Sequence, residues 1–230
     1  MLVVRQVIGP GRRRPLADEV KPTNGRGKPR PPTKRQPQRI PEVLTEPEQA
    51  RLLTQVADES SSSLRGRAIL RVFLDCGLRA AELIDLKHRD VDLATGRLWV
   101  RQGKNSKDRG LWFNGQTREA LEAWLAVKPS SSSIHLPSST LFSSLDGRRP
   151  LCGRVLRRWV ERLGEKAGIE KQVHPHMLRH CFACRLLSQT KNLFMVSKAL
   201  GHASVATTQT YLHLVDSELE SAMKELGGPH

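Results

Sequence analysis

The chain is poor in acids, cysteine and aromatic residues, and it lacks long hydrophobic runs. No apolar stretch reaches the roughly 18 residues that a membrane helix needs, which predicts a soluble protein that does not enter a membrane. The first nine residues are too short and too polar for a signal peptide. Without an export signal, we expect the four cysteines to be free thiols in a reducing compartment, which predicts a cytoplasmic location.

Tyrosine is the scarcest aromatic residue, because Tyr211 is the single one among 230 residues. A tyrosine can be buried anywhere for packing. This one follows a Gly201-His202 pair closely, in a chain with a large positive charge. The placement suggests that the phenol is a reagent and that its natural target is a phosphodiester.

Positive charge is what the chain has in excess: 38 Lys and Arg stand against 23 acids, for a net charge of +15. This balance favours a polyanionic partner, most simply nucleic acid. An anionic membrane surface is the rival, but no basic amphipathic helix with aromatic anchors supports it. Residues 1–39 hold eleven of the basic residues, two acids and seven prolines. We predict a disordered basic arm that tracks phosphates, with a solvated linker from an upstream domain as the alternative.

Residues 40–230 are predicted to form one domain of the α+β class, mainly α-helical with a small antiparallel sheet. Thr45-Glu46-Pro47-Glu48 has the capping-box pattern of a helix start. Gly77 is placed to end the following helix. Two β-like stretches, 97–100 and 110–113, flank a polar turn and predict a hairpin. Further helical patterns cover 80–86, a segment capped by Asn114, 155–163, 175–187, 193–200 and 218–226, with a surface loop over 129–140.

Cys181 and Cys184 lie inside the helical pattern at 175–187. Their C-x-x-C spacing beside His176 and His180 also fits a zinc site, but no second C-x-x-C occurs in the chain. We therefore predict a structural pair of small helix residues.

Six residues have the chemistry for cleaving a phosphodiester. The reaction needs an in-line nucleophile, cations on the non-bridging oxygens and a proton donor for the leaving oxygen. Arginine suits the role of the cation because its planar guanidinium is always charged and binds two phosphate oxygens at once. A cationic pocket also favours the phenolate of a tyrosine, whose ordinary pKa is about 10. In chain order the candidates are Arg79, Lys104, His176, Arg179, His202 and Tyr211.

These residues lie in motifs that resemble the catalytic domain of the tyrosine recombinases, also called the phage integrase family. The resemblance covers about residues 40–228. The histidine-arginine motif is similar to that of small fimbrial-type invertases, which are little more than this domain, so we expect a minimal or a truncated recombinase. The family's G-L-R-x-x-E-L, K-x-x-K-x-R, H-x-L-R-H, L-G-H and T-T-x-x-Y motifs correspond to Gly77–Leu83, Lys104–Arg109, His176–His180, Leu200–His202 and Thr207–Tyr211.

The resemblance implies that Tyr211 attacks the phosphate and forms a 3′-phosphotyrosine. Arg79, Arg179 and His202 would hold the phosphate oxygens. No metal or nucleotide cofactor would be needed, because the phosphotyrosine conserves the bond energy for religation. Two rounds of strand exchange through a Holliday junction would complete recombination.

The resemblance also implies how protons move. Lys104, favoured over Lys107 by its place in the motif, would protonate the leaving 5′ oxygen. His176 would assist proton transfer at the tyrosine, and Glu82 would support the site by orienting an arginine. His176 and His180 both flank Arg179, and either is alternatively a structural histidine.

The implied partner is double-stranded DNA, with a homotetramer assembled on it and accessory DNA-bending proteins as further candidates. The segment 216–226 would dock onto a neighbouring subunit; packing on its own domain is the alternative. Two other functions stay open at this point: a type IB topoisomerase-like relaxing enzyme, and a truncated, non-catalytic DNA-binding protein.

Overall fold

The computed structural model describes residues 42–101, 108–129 and 139–202, together with Tyr211 and Met223. Within these ranges the chain is mainly helical with one small sheet, and the predicted α+β class is confirmed. The helices are α1 (Glu46–Thr54), α2 (Ser61–Cys76), α3 (Ala80–Asp85), α4 (Gly115–Val127), α5 (Gly153–Lys166), α6 (Pro175–Thr190) and α7 (Leu193–Leu200); the strands are β1 (Val91–Asp92), β2 (Arg97–Val100) and β3 (Arg109–Trp112).

Side-chain caps and one glycine set the helix ends, as predicted. Thr45 and Glu48 form the capping box of α1, in which the Thr45 amide donates to the Glu48 carboxylate at 2.7 Å. Asn114 caps α4 by accepting from the Thr117 amide at 2.9 Å. Gly77 ends α2 in the left-handed region, at φ 62°. A Cβ atom at Gly77 would also lie 2.1 Å from the Phe182 ring, so this turn requires glycine.

Helix α2 lies at the centre of the core, where it packs against α4 and α6. Its Val72 and Phe73 are completely buried. Its buried carboxylate, Asp75, accepts hydrogen bonds from Thr117 of α4 and Arg185 of α6, each at 2.6 Å. Because an unpaired buried carboxylate is costly, these two bonds help to hold the three helices together.

The sheet has the strand order β1-β2-β3, and both pairings are antiparallel. The predicted hairpin is confirmed in β2 and β3, where Leu98 pairs with Leu111. Strand β1 was not predicted, because its two residues are too few to show the alternating pattern of a strand. Leu98 and Val100 point into the core. The hairpin's tip, with the predicted Lys104, lies outside the described residues.

Three other predictions fall wholly or largely outside the described residues: the arm at 1–39, most of the loop at 129–140, and the helix at 218–226. The domain boundary near residue 40 stays a prediction for the same reason. No described helix has the length and apolar character needed to cross a membrane.

Cys181 is buried in α6, and its sulfur accepts a hydrogen bond from the Leu44 amide at 3.2 Å. This contact between α6 and the chain before α1 gives the residue a structural role. Among the described residues, no cluster of three or more His, Cys, Asp or Glu side chains is arranged to hold a metal ion.

Candidate active site

A single largely buried carboxylate, Glu82 on α3, organises the arginines of the site. It receives two hydrogen bonds from the Arg109 guanidinium, at 2.7 and 3.0 Å. Arg79 adds its side chain and its backbone amide, each at 2.7 Å, and Arg179 lies 3.7 Å away. Burial alone would raise the pKa of Glu82. The hydrogen bonds from Arg109 and Arg79 outweigh this effect and lower the pKa to about 2. Glu82 therefore stays ionised and fixes three positive charges in a small volume.

The C-terminal end of α7 also binds the three arginines that contact Glu82. The last carbonyls of a helix have no partner within the helix and carry its partial negative charge. Here three successive carbonyls, of residues 199–201, each accept from a different arginine. The distances are 2.9 Å from Arg109 Nε to Ala199, 2.7 Å from Arg179 to Leu200 and 3.4 Å from Arg79 to Gly201.

Gly201 is required at this helix end for two reasons. Its φ of 64° lies in the left-handed region, which other residues rarely adopt. A Cβ atom there would lie 2.7 Å from Nη1 of Arg109. The turn at Gly201 also sets the position of His202, whose Nε2 lies 3.4 Å from Nη2 of Arg179.

Arg179 is the most enclosed cation of the group, with 4% of its side chain exposed. It also donates to the carbonyl of Gly77 at 2.6 Å, so the left-handed ends of α2 and α7 both direct carbonyls toward it. Burial, followed by the charge of Arg79, lowers the pKa of Arg179 to about 10. The side chain of Arg79 is 38% exposed, which makes it the more accessible of the two for an incoming anion.

The histidines of the site are neutral at pH 7. Burial, and then the arginines around it, lower the pKa of His202 to about 4. The pKa of His176 is also lowered, by burial and by Arg179. His176 is exposed on the first turn of α6, one helical turn before His180, and their ring centroids are 6.1 Å apart.

Tyr211 is 2% exposed and packs with apolar residues of α6 and α7. Its oxygen lies 2.5 Å from Nδ1 of His180. Burial raises the pKa of Tyr211 well above its ordinary value, and the opposing effect of Arg179 is smaller. Arg179 favours the phenolate, as expected of a cationic pocket, but burial outweighs this effect, so the phenol is neutral.

Five of the six predicted residues meet in this region: Arg79, His176, Arg179, His202 and Tyr211. The sixth, Lys104, lies outside the described residues. Two neighbours were not among the predicted six. One is Arg109, the last residue of the hairpin motif, whose signal in the sequence is an arginine at an inward-facing strand position. The other is His180, which no sequence signal distinguishes from His176.

The fold and this grouping of arginines and histidines around a tyrosine define the catalytic-domain class of the tyrosine recombinases. The chain belongs to the phage integrase family, which it matches over residues 42–218. It is 38% identical over 175 residues to the tyrosine recombinase XerC of Vibrio cholerae serotype O1, an alignment that covers 76% of this chain and 55% of that protein. The chain thus spans about half the length of the curated relatives it matches.

Solved structures give the same result. The crystal structure of XerA recombinase is 36% identical and superposes with a TM-score of 0.69, covering 84% of this chain and 68% of the other. The XerH site-specific recombinase, bound to its palindromic difH substrate in a post-cleavage complex, is 29% identical with a TM-score of 0.65. That match covers 80% of this chain and 53% of XerH.

Proposed function

We propose that this chain is the catalytic part of a site-specific DNA recombinase that cuts and rejoins DNA through a 3′-phosphotyrosine. The observation that carries the proposal is the position of Tyr211 beside a cluster of three arginines anchored on Glu82. Such a pocket suits a group that carries negative charge and gains more during the reaction. The named relatives, the recombinases XerC, XerA and XerH, support the same activity.

In this proposal the Tyr211 oxygen attacks phosphorus while the bond to the 5′ oxygen breaks. Arg79, Arg179 and His202 donate hydrogen bonds to the non-bridging oxygens. Preorganised donors of this kind are typically worth about 100- to 1000-fold in rate each. Lys104 delivers a proton to the leaving 5′ oxygen, and the freed 5′ hydroxyl of a second strand reverses the chemistry.

Duplex DNA is the proposed partner, and helix α5 supplies a surface for it. Four exposed arginines, at positions 154, 157, 158 and 162, lie along one side of α5. None of the four forms an ion pair within the described part of the chain. Arg157 is close enough to lower the pKa of His176, so the basic stripe begins beside the site. The XerH complex with its difH substrate supports the same partner.

Assembly and location are finer parts of the proposal. Four copies would meet on DNA, with the segment 216–226 of one copy docking onto the next and DNA-bending proteins assisting. An exposed apolar groove beside His202 supports this arrangement: Trp112, Phe194 and Met195 line it and are 49–67% exposed. We place the protein with DNA in the cytoplasm, and we divide it into a basic arm at 1–39 and a catalytic domain at 40–230.

Covalent trapping tests the function. Nicked duplexes covering the DNA that flanks the gene are incubated with the protein without magnesium, and products are separated in SDS. We expect an SDS-resistant protein–DNA adduct with the wild type and none with Tyr211→Phe, which keeps the ring but removes the nucleophile. Tight DNA binding without an adduct on any duplex would contradict the proposal and favour a binding-only protein. Relaxation of plasmid without defined junctions would favour a topoisomerase.

A further inference from the structure

The phenolic oxygen of Tyr211 contacts His180, not the histidine that the family resemblance assigns to proton transfer. Nδ1 of His180 lies 2.5 Å from this oxygen, and the two ring centroids are 5.8 Å apart. Among the described residues, no hydrogen bond joins His176 to the same oxygen. Because α6 places His180 one turn deeper than the exposed His176, the histidine nearest the nucleophile is His180.

We propose that His180 is a further catalytic residue, the base that takes the phenolic proton of Tyr211. The inference rests on the proposed function. The lone pair of Nδ1 accepts the proton while the Tyr211 oxygen forms its bond to phosphorus and the bond from phosphorus to the 5′ oxygen breaks. The 5′ oxygen leaves with a proton from Lys104, and His180 becomes an imidazolium. On religation the 5′ hydroxyl returns its proton to the Lys104 amine as its oxygen attacks phosphorus, and the imidazolium returns its proton to the departing phenolate.

A base must be unprotonated before the reaction, and His180 meets this requirement. Burial, followed by the positive surroundings, lowers the pKa of His180 to about 4, so Nδ1 has a free lone pair at neutral pH. The groups that face it are His176 and Arg179 of α6, His174 at the helix cap, His202 after α7, and Tyr211.

Binding of the DNA phosphate should raise the pKa of His180 and so make it a stronger base. A phosphate held by Arg79 and Arg179 brings negative charge beside His180, where it opposes the positive charge of Arg179. A nearby opposite charge favours the charged form of a titratable group. The imidazolium is therefore stabilised when the anion is in place, and His180 becomes a stronger base at the step that needs one.

His180→Asn tests this assignment, because Oδ1 of asparagine lies where Nδ1 lies and accepts the phenolic hydrogen bond but not the proton. The readout is the single-turnover rate of adduct formation on a nicked duplex that the wild type cleaves. We expect a loss of about 100- to 10,000-fold, the usual contribution of general acid–base catalysis, with DNA affinity and unfolding temperature unchanged. His180→Gln serves as a second variant if asparagine prevents folding.

A more acidic nucleophile separates a base from a merely structural residue. In the His180→Asn variant, a fluorinated tyrosine at position 211 should react at least about ten times faster than the ordinary tyrosine. The reason is that the more acidic phenol loses its proton more easily without a base. Wild-type rates in His180→Asn, or no recovery on fluorination, would overturn the inference and leave His180 as a packing residue. If the unmodified protein forms no adduct at all, the proposed function fails, and the inference fails with it.

Discussion

Glu82→Gln should destabilise the protein more than any exposed acid-to-amide change. The substitution keeps the size of the side chain and removes its charge. It leaves Arg109, which is 8% exposed, and Arg179, which is 4% exposed, without the carboxylate that faces them. The remaining amide can accept at one oxygen only, whereas the carboxylate accepts from Arg79 and Arg109 at both.

The expected loss of stability is about 3 kcal/mol, both from the cost of breaking a buried ion pair and from the pKa of Glu82. Removing one partner of a buried ion pair typically costs about 3–5 kcal/mol. The pKa of Glu82, about 2 against an ordinary 4.5, corresponds to roughly 3 kcal/mol of preference for the ionised form in the folded protein. Because the folded pKa is depressed, this stabilisation is complete above pH 4.5 and is lost as the pH falls toward 2.

Urea unfolding, followed by circular dichroism at pH 7, measures the effect. We expect the free energy of unfolding to fall by about 3 kcal/mol in Glu82→Gln and by less than about 0.5 kcal/mol in the matched control Glu122→Gln, an exposed residue of α4. The difference between wild type and Glu82→Gln should shrink as the pH is lowered from 5 to 2. Equal unfolding curves for the two variants would refute the view that Glu82 holds the arginines.

Other predictions concern the helix ends, a buried lysine, DNA binding and assembly. Gly201→Ala should cost about 1–3 kcal/mol in urea unfolding, whereas Gly115→Ala, with open space around it, should not destabilise. Burial lowers the pKa of Lys128 to about 8, so the unfolded chain binds more protons above that pH; wild-type stability should therefore rise from pH 8 to 10 relative to Lys128→Met, and parallel curves would contradict this. Arg158→Gln should reduce the salt slope of DNA binding by about one, and deletion of residues 1–39 should flatten it further; an unchanged slope would show that these charges are idle. Deletion of 216–230 should abolish tetramers on DNA in native gels while sparing monomer binding; unchanged tetramers would rule out the docking segment.

Most of the fold could be predicted because its signals are local. Thr45, Gly77 and Asn114 each act within a few residues of the helix end that they set, and the hairpin of β2 and β3 alternates with a period of two. The strand β1 could not be predicted, because two residues have no period and pair only through the register that β2 provides.

In the candidate site, too, the local signals could be predicted and the long-range contacts could not. Arg79, Arg179 and His202 are visible in short motifs, but their common anchor depends on contacts between distant parts of the chain. Arg109 reaches Glu82 across 27 positions and the end of α7 across 90. The choice between His176 and His180 depends on where residue 211 returns to α6, which no local pattern contains. The raised pKa of Tyr211 could not be predicted for a related reason, because composition reports the surrounding charge but not the burial that outweighs it.

The most direct test of the account is to identify the atom that becomes linked to DNA. The trapped adduct would be digested with trypsin and nuclease, and the peptides sequenced by mass spectrometry. We predict one modified peptide, with a nucleotide joined through its 3′ phosphate to the oxygen of Tyr211, and a free 5′ hydroxyl on the released strand. Attachment at any other residue, or through a 5′ phosphate, would contradict the assignment of Tyr211 as the nucleophile.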